Sequence, residues 1–227
     1  MDIIKQENGC NLFQGSWVFD NTYPLYDASN CPFVSSDWNC HARPDKDYLK
    51  YKWKPDGCDL PRFPAEFTTH FFVDLVTENV GRVLKLDSIS AGNQWLGVDI
   101  LIFNSYHWWL HEGKLQPFLF SFLLVFLDLI SGIDWNQPKV NNCRGQTKPI
   151  DGSNYPGNHY PGEAVLKSVL GSMKKPVSLL DIALLTQLRK DGHPSQYSGT
   201  GFVCSHWCLA GVPDSWNQLL YTILTQK

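Results

Sequence analysis

The chain has 227 residues, a net charge of −3 and 43% hydrophobic residues. That apolar share supports a packed core and excludes a disordered chain, and the length leaves room for one large domain or two small ones. Lys and Arg are spread rather than clustered, which excludes the basic footprint that a nucleic-acid partner requires.

Seven cysteines are present: Cys10, Cys31, Cys40, Cys58, Cys143, Cys204 and Cys208. Four of them lie near the start of the chain at loop-like positions beside Pro, Asn and Gly. This setting points to disulfides and an oxidising compartment, and the odd count leaves at least one thiol unpaired. Disulfides are expected within residues 10–58, with at least one more between Cys143 and the Cys204/Cys208 turn. Zinc is the rival reading. Cys204 and Cys208 have half the spacing of a zinc site, but no second His/Cys pair lies nearby to complete it, so no metal is expected. The first residues, Met1 to Glu7, lack the basic start and apolar core of a signal peptide, and no membrane anchor is visible. No Asn-x-Ser/Thr acceptor occurs either.

In chain order, residues 8–63 read as a cysteine-braced module. Gly15–Asp20 is a strand candidate, and Tyr23-Pro24-Leu25-Tyr26 and Cys31-Pro32-Phe33 are turn-rich. Arg43-Pro44-Asp45, Tyr51-Lys52-Trp53-Lys54-Pro55 and Cys58-Asp59-Leu60-Pro61-Arg62-Phe63 follow. Residues 64–227 form the second domain. Val83–Leu86 reads as a short strand leading into Asp87-Ser88. Val98–Phe103 is a near-continuous apolar run typical of a buried strand, with Asn104 and His107 just past its end, where ligand sites of open α/β sheets lie. His107 and His111 are four apart but lack the glutamate placement of a zinc-protease helix, so packing is the expected role of this Trp-rich stretch. Phe118–Leu127 is apolar apart from one serine. A spanning helix needs about 20 apolar residues, so this reads as a buried segment. Further on, Gly162–Met173 has helical spacing, Val177–Ile182 reads as a strand and Leu184–Lys190 as a helix, ended by Asp191-Gly192-His193-Pro194.

The segment Cys204-Ser205-His206-Trp207-Cys208-Leu209-Ala210-Gly211-Val212-Pro213-Asp214-Ser215-Trp216 is the densest in chemistry-bearing residues. Asp214 starts a helix through Leu219, Leu220 and Ile223, its carboxylate satisfying free N–H groups of the first turn. This segment resembles the C-terminal signature Asp-Cys-Ser-His-Trp-Cys-Leu-Pro-Gly-x-Pro-Asp-x-Trp-Asn of the plant trichome-birefringence-like family of cell-wall polysaccharide O-acetyltransferases. The module is similar to that family's N-terminal domain, which runs through Cys-Asn-x-Phe-x-Gly-x-Trp-Val-x-Asp, Tyr-Pro-Leu-Tyr, Cys-Pro-Phe, Arg-Pro-Asp and Leu-Pro-(Arg/Lys)-Phe in the same order.

The resemblance implies an α/β chain with a three-layer esterase-like domain of the SGNH/GDSL type, here incomplete, behind the N-terminal cysteine-rich module. It implies serine-type acyl transfer from a donor such as acetyl-CoA to a polysaccharide hydroxyl, xylan-type acceptors included. It further implies a Golgi-lumen setting, with relatives held by a membrane anchor. His206 matches the family's base. Asn104 and His107 match its Asn-x-x-His-Trp-Trp segment, as oxyanion or cleft residues. His193 lies in its Arg-Lys-Asp-Gly-His-Pro-Ser string, where lining the cleft and bracing a loop are equally open. Two departures stand out. Val203 occupies the position of the triad aspartate, and no Gly-Asp-Ser nucleophile motif follows Phe63. Ser88, after Leu86-Asp87, is the one substitute nucleophile, although it aligns better with a separate Leu-Lys-Leu-Asp-Ser-Ile segment of structural character. Family sequence is missing near residues 64–70 and 115–131. The chain is therefore expected to be impaired in acetyl transfer, the alternative being a non-catalytic polysaccharide-binding or remnant protein.

Overall fold

A computed structural model of the chain describes residues 10–30, 34, 38–61, 75–78, 81–84, 135, 137, 139–140, 142–157, 163–174, 177–199 and 201–225, with 75–78 and 81–84 as backbone. Two compact units result: one of Met1–Pro64 with Leu129–Lys227, the other of Ala65–Asp128. The cysteine-rich module thus shares one unit with residues 129–227.

In the larger unit, β1 (Asn11–Phe19) pairs antiparallel with β2 (Tyr51–Asp56). Both strands follow the period-two rule. Leu12, Gly15, Trp17, Trp53 and Pro55 are buried, while Lys54 and Asp56 are exposed. Trp17 and Trp53 face each other across the ladder with ring centroids 5.7 Å apart and edge to face. Each indole N–H is satisfied by a carbonyl, Trp17 at Leu185 (2.8 Å) and Trp53 at Leu12 (2.9 Å). Gly15 is required where the register shifts, because a Cβ there would lie 2.2 Å from the Lys54 carbonyl oxygen. A proline, Pro55, lies inside β2. The strand forms because a two-stranded ladder is all edge, and an edge tolerates Pro55.

The smaller unit contains the antiparallel pair β3 (Leu75–Glu78) and β4 (Gly81–Leu84). Beyond it, α1 (Glu163–Ser172) matches the expected helix. It buries none of its residues and leaves Val165, Val169 and, one residue past its end, Met173 exposed. Val177–Ile182 was expected as a strand but joins no ladder among the described residues. Its Ile182 N–H donates instead to the Leu180 carbonyl two residues back (3.0 Å), which turns the chain, and both side chains pack on the core. Next come α2 (Ala183–Gln187) and the hairpin of β5 (Ser195–Ser198) and β6 (Gly201–Val203).

The last element, α3 (Val212–Thr225), buries Val212, Ser215, Leu219, Thr222 and Ile223, a spacing of three and four that makes one inward face. Asp214 fixes its start by reaching back to accept the Gly211 N–H at 2.7 Å, the reciprocal half of a capping box. Leu12, Trp17 and Trp53 of the module, Leu185 and Leu188 after it, and Val212, Leu219 and Ile223 of α3 form a single core. No helix among the described residues is long and apolar enough to cross a membrane.

Candidate active site

The turn from Cys204 to Cys208 connects β6 to the approach of α3. Its conformation is set from both sides. Cys204 is bridged to Cys143 and Cys208 to Cys40, with Cα separations of 5.7 and 5.6 Å. Both fall in the ordinary range for disulfides. The Cys208 N–H donates to the Gly192 carbonyl (2.8 Å), and the Leu209 N–H to the Trp38 carbonyl (3.0 Å). His206 is therefore held two residues from a covalent anchor in each direction.

A third bridge, Cys10–Cys58, closes the module itself, with Cα atoms 5.5 Å apart. The bridges expected within 10–58 and from Cys143 to the turn are both present. Cys40, however, leaves the module to reach Cys208, and Cys31 lies outside the described residues.

The His206 ring is half-buried. Trp38 meets it edge to face at 5.5 Å, and Nδ1 lies 3.3 Å from the exposed Ser205 hydroxyl. Beneath the turn, His193 is buried and stacked on Trp207, with centroids 4.1 Å apart. Its Nδ1 lies 2.9 Å from the His206 carbonyl oxygen, and since that oxygen only accepts, Nδ1 carries the proton. Burial pushes the His193 imidazole down to about 4, against a weaker pull upward from the hydrogen bond to His206 and from Asp191. A neutral His193 is thus a fixed donor at any physiological pH. Through this bond His193 braces the turn that carries His206.

A buried ionic layer supports this floor. Arg189 and Asp191 form a two-pronged pair, Nε–Oδ1 at 2.8 Å and Nη2–Oδ2 at 3.0 Å. Arg189 also donates to the Tyr48 carbonyl (2.7 Å) and lies 4.3 Å over the Trp17 ring. Arg43 donates to the Asp191 and His193 carbonyls and to the Gln146 carbonyl, and it pairs with Asp45 at 3.1 Å. Trp17, Arg43, Asp45 and Tyr48 of the module are thereby tied to the Arg189–His193 loop. Sequence reading noted Arg43 and Arg189 only as parts of strings. Charged residues set among Trp, Leu and Pro were the available sign of burial.

Val203 closes β6 and is half-buried. Its isopropyl group offers His206 no acceptor. Asp214, the other carboxylate of the segment, is committed elsewhere: one oxygen accepts the Tyr26 hydroxyl (3.0 Å) and the other the Gly211 N–H. Burial raises its pKa. Ser88, Asn104 and His107 lie outside the described residues. Among the described residues no group of three or more His, Cys, Asp or Glu is arranged to hold a metal.

Two family models match the chain. The GDSL/SGNH-like acyl-esterase family found in Pmr5 and Cas1p covers residues 40–118 and 125–223, and the Pmr5 N-terminal domain covers residues 8–59. Among curated proteins of Arabidopsis thaliana, trichome birefringence-like 38 is 36% identical, the alignment covering 97% of this chain and 85% of that protein. Trichome birefringence-like 42 is 37% identical over 98% of this chain and 91% of its own length. The chain belongs to the trichome birefringence-like family. Trichome birefringence itself is 29% identical over 99% of this chain and 59% of its own length. The alignment with trichome birefringence-like 38 runs over 325 positions, against a chain of 227 residues, so roughly a third of it faces no residue here. The acyl-esterase match is itself interrupted between residues 118 and 125, inside the apolar run Phe118–Leu127.

Proposed function

We propose that this chain comes from a polysaccharide O-acetyltransferase lineage of plant cell-wall acetylation and is itself impaired in that reaction. The observation that carries the reading is the His206 turn: a family-matching histidine clamped by two disulfides inside an acyl-esterase-family sequence. In such chemistry a serine attacks the acyl donor, a histidine takes its proton, and a carboxylate holds the imidazole in the productive tautomer. An acetyl donor such as acetyl-CoA supplies the acyl group, and a cell-wall polysaccharide hydroxyl, xylan-type included, accepts it. His206 takes the base role. Val203 cannot take the carboxylate role, Asp214 is engaged with Tyr26 and Gly211, and the family's Gly-Asp-Ser nucleophile is missing from the sequence.

The finer parts of the reading belong together. The family's three-layer sheet is incomplete here because aligned positions are missing. Asn104 and His107 take oxyanion or cleft roles on the family resemblance alone, and the three disulfides fit the oxidising Golgi lumen. The competing reading is a protein that binds polysaccharide without modifying it. It has in its favour a hollow of about 360 Å³ beside the Cys40–Cys208 bridge, lined by Tyr26, His41, Lys46 and Leu209 among others.

The test is acetyl transfer from acetyl-CoA to xylan-type oligosaccharides by the purified chain, alongside Val203→Asp and Ser88→Ala. Transfer at background level is expected for the parent and for Val203→Asp, since restoring the carboxylate does not restore a nucleophile. Turnover by the parent that Ser88→Ala abolishes would make Leu86-Asp87-Ser88 a working nucleophile motif and overturn the reading. Acceptor binding without transfer would favour the binding protein.

A further inference from the structure

The geometry points to Ser205 as an acyl-accepting nucleophile activated by His206, giving this chain a weak esterase activity toward small activated esters. The inference rests on His206 being the base, as proposed above, but not on transfer to a polysaccharide.

Four observations converge on the pair. The Ser205 hydroxyl lies 3.3 Å from His206 Nδ1, within reach of a proton transfer that tightens once a substrate is engaged. Ser205 is exposed and His206 half-buried, so a small ester reaches the hydroxyl without any opening of the fold. The main chain carrying the pair is fixed by Cys143–Cys204 before it and Cys40–Cys208 after it, and by the His193 donor on the His206 carbonyl. Trp38 limits rotation of the imidazole from the side. Holding base and nucleophile in register ahead of the reaction is what converts two ordinary side chains into a reactive pair. Val203 offers Nδ1 no acceptor, and in the tautomer that carries its proton on Nε2, Nδ1 accepts from the Ser205 hydroxyl.

The step balances as follows. Ser205 Oγ attacks the ester carbonyl carbon as its proton passes to His206 Nδ1. The tetrahedral adduct collapses with cleavage of the bond to the leaving oxygen, which departs as the alcohol or phenolate. The imidazolium returns its proton to that oxygen or to water. Ser205 then carries the acyl ester until water hydrolyses it.

The probe is p-nitrophenyl acetate with the full chain, its disulfides intact. Release of p-nitrophenol is followed together with peptide mass spectrometry of the turn. The expected result is one acetyl group on Ser205, lost in Ser205→Ala, and an acylation rate lowered about 100-fold in His206→Gln, as for removal of a general base. Absence of acetyl from Ser205 in the parent overturns the proposal, as does acylation of Ser205 at the parent rate in His206→Gln. Slower release in Ser205→Ala with no acetyl on Ser205 also overturns it, since Ser205 would then orient the ring rather than attack. Transfer to xylan is read as a different product. Its appearance would sink the impaired-enzyme reading and leave the Ser205 result to stand or fall by itself.

Discussion

His193 is where a single side chain has the clearest consequence for the molecule. Buried against Trp207 and donating to the His206 carbonyl, it resists protonation down to about pH 4, whereas in the unfolded chain it titrates near its ordinary 6.5. Between those values the unfolded state binds more protons, so stability is fully present above 6.5 and falls as pH drops toward 4. The amount at stake is roughly 3 kcal/mol. Asp191 faces His193 and favours its proton, Arg43 and Arg189 oppose it, and the raised carboxyl of Asp214 acts in the opposite sense nearer its ordinary 3.8. Urea unfolding of the parent and of His193→Asn, compared from pH 7 to 4.5, isolates the effect. The parent is expected to lose stability over that range, and the variant, which keeps an amide donor for the His206 carbonyl, to show a flatter profile.

The loop after α2 carries charge into the core, and its energetics follow from pairing. Arg189 and Asp191 are both fully buried, so their favourable balance depends on each having the other. Asp191→Ala leaves a guanidinium between Trp17 and Tyr48 with no counter-charge. The expected cost is about 3–5 kcal/mol, read as a lower urea midpoint with an unchanged slope. What could be seen of this element beforehand was limited for a physical reason. The string Arg-Lys-Asp-Gly-His-Pro marked the end of a helix, but a sequence does not display that Arg43, 148 residues earlier, will donate to the Asp191 carbonyl while Arg189 pairs with its carboxylate. The same limit explains two neighbours. Val177–Ile182 reads as a strand because an apolar run looks alike whether it pairs or merely covers a core. Tyr51–Asp56 carried no strand reading, because its proline lacks the N–H that a strand ladder uses. The helices at 163–172 and 212–225 were plain because spacing and a capping carboxylate are local signals.

At the scale of the molecule, the disulfides hold together what the chain separates. Cys10–Cys58 spans 48 residues, Cys143–Cys204 spans 61 and Cys40–Cys208 spans 168. Long closures restrict the unfolded chain most, so removing Cys40–Cys208 by a paired Cys40→Ala and Cys208→Ala change is expected to cost about 2–5 kcal/mol. Thermal unfolding checks this, with peptide mapping under non-reducing conditions to verify that the other two bridges persist. The cysteine setting was readable as an oxidised framework, and the turn at His206 as its focus. The partner of Cys40 was not, since connectivity depends on where the fold brings thiols together.

That longest bridge also has a timing. A ribosome adding about 5–20 residues per second needs roughly 10–30 s to travel from Cys40 to Cys208. Throughout that interval Cys40 is a thiol without its partner, while Cys10 and Cys31 are already made and Cys58 follows 18 residues later. An early liaison with one of them leaves Cys208 stranded and the His206 turn moored on one side only. Refolding of the reduced chain is therefore expected to give a higher yield of the Cys40–Cys208 bridge when a disulfide isomerase is added than when oxidant alone is raised, as read by non-reducing peptide mapping.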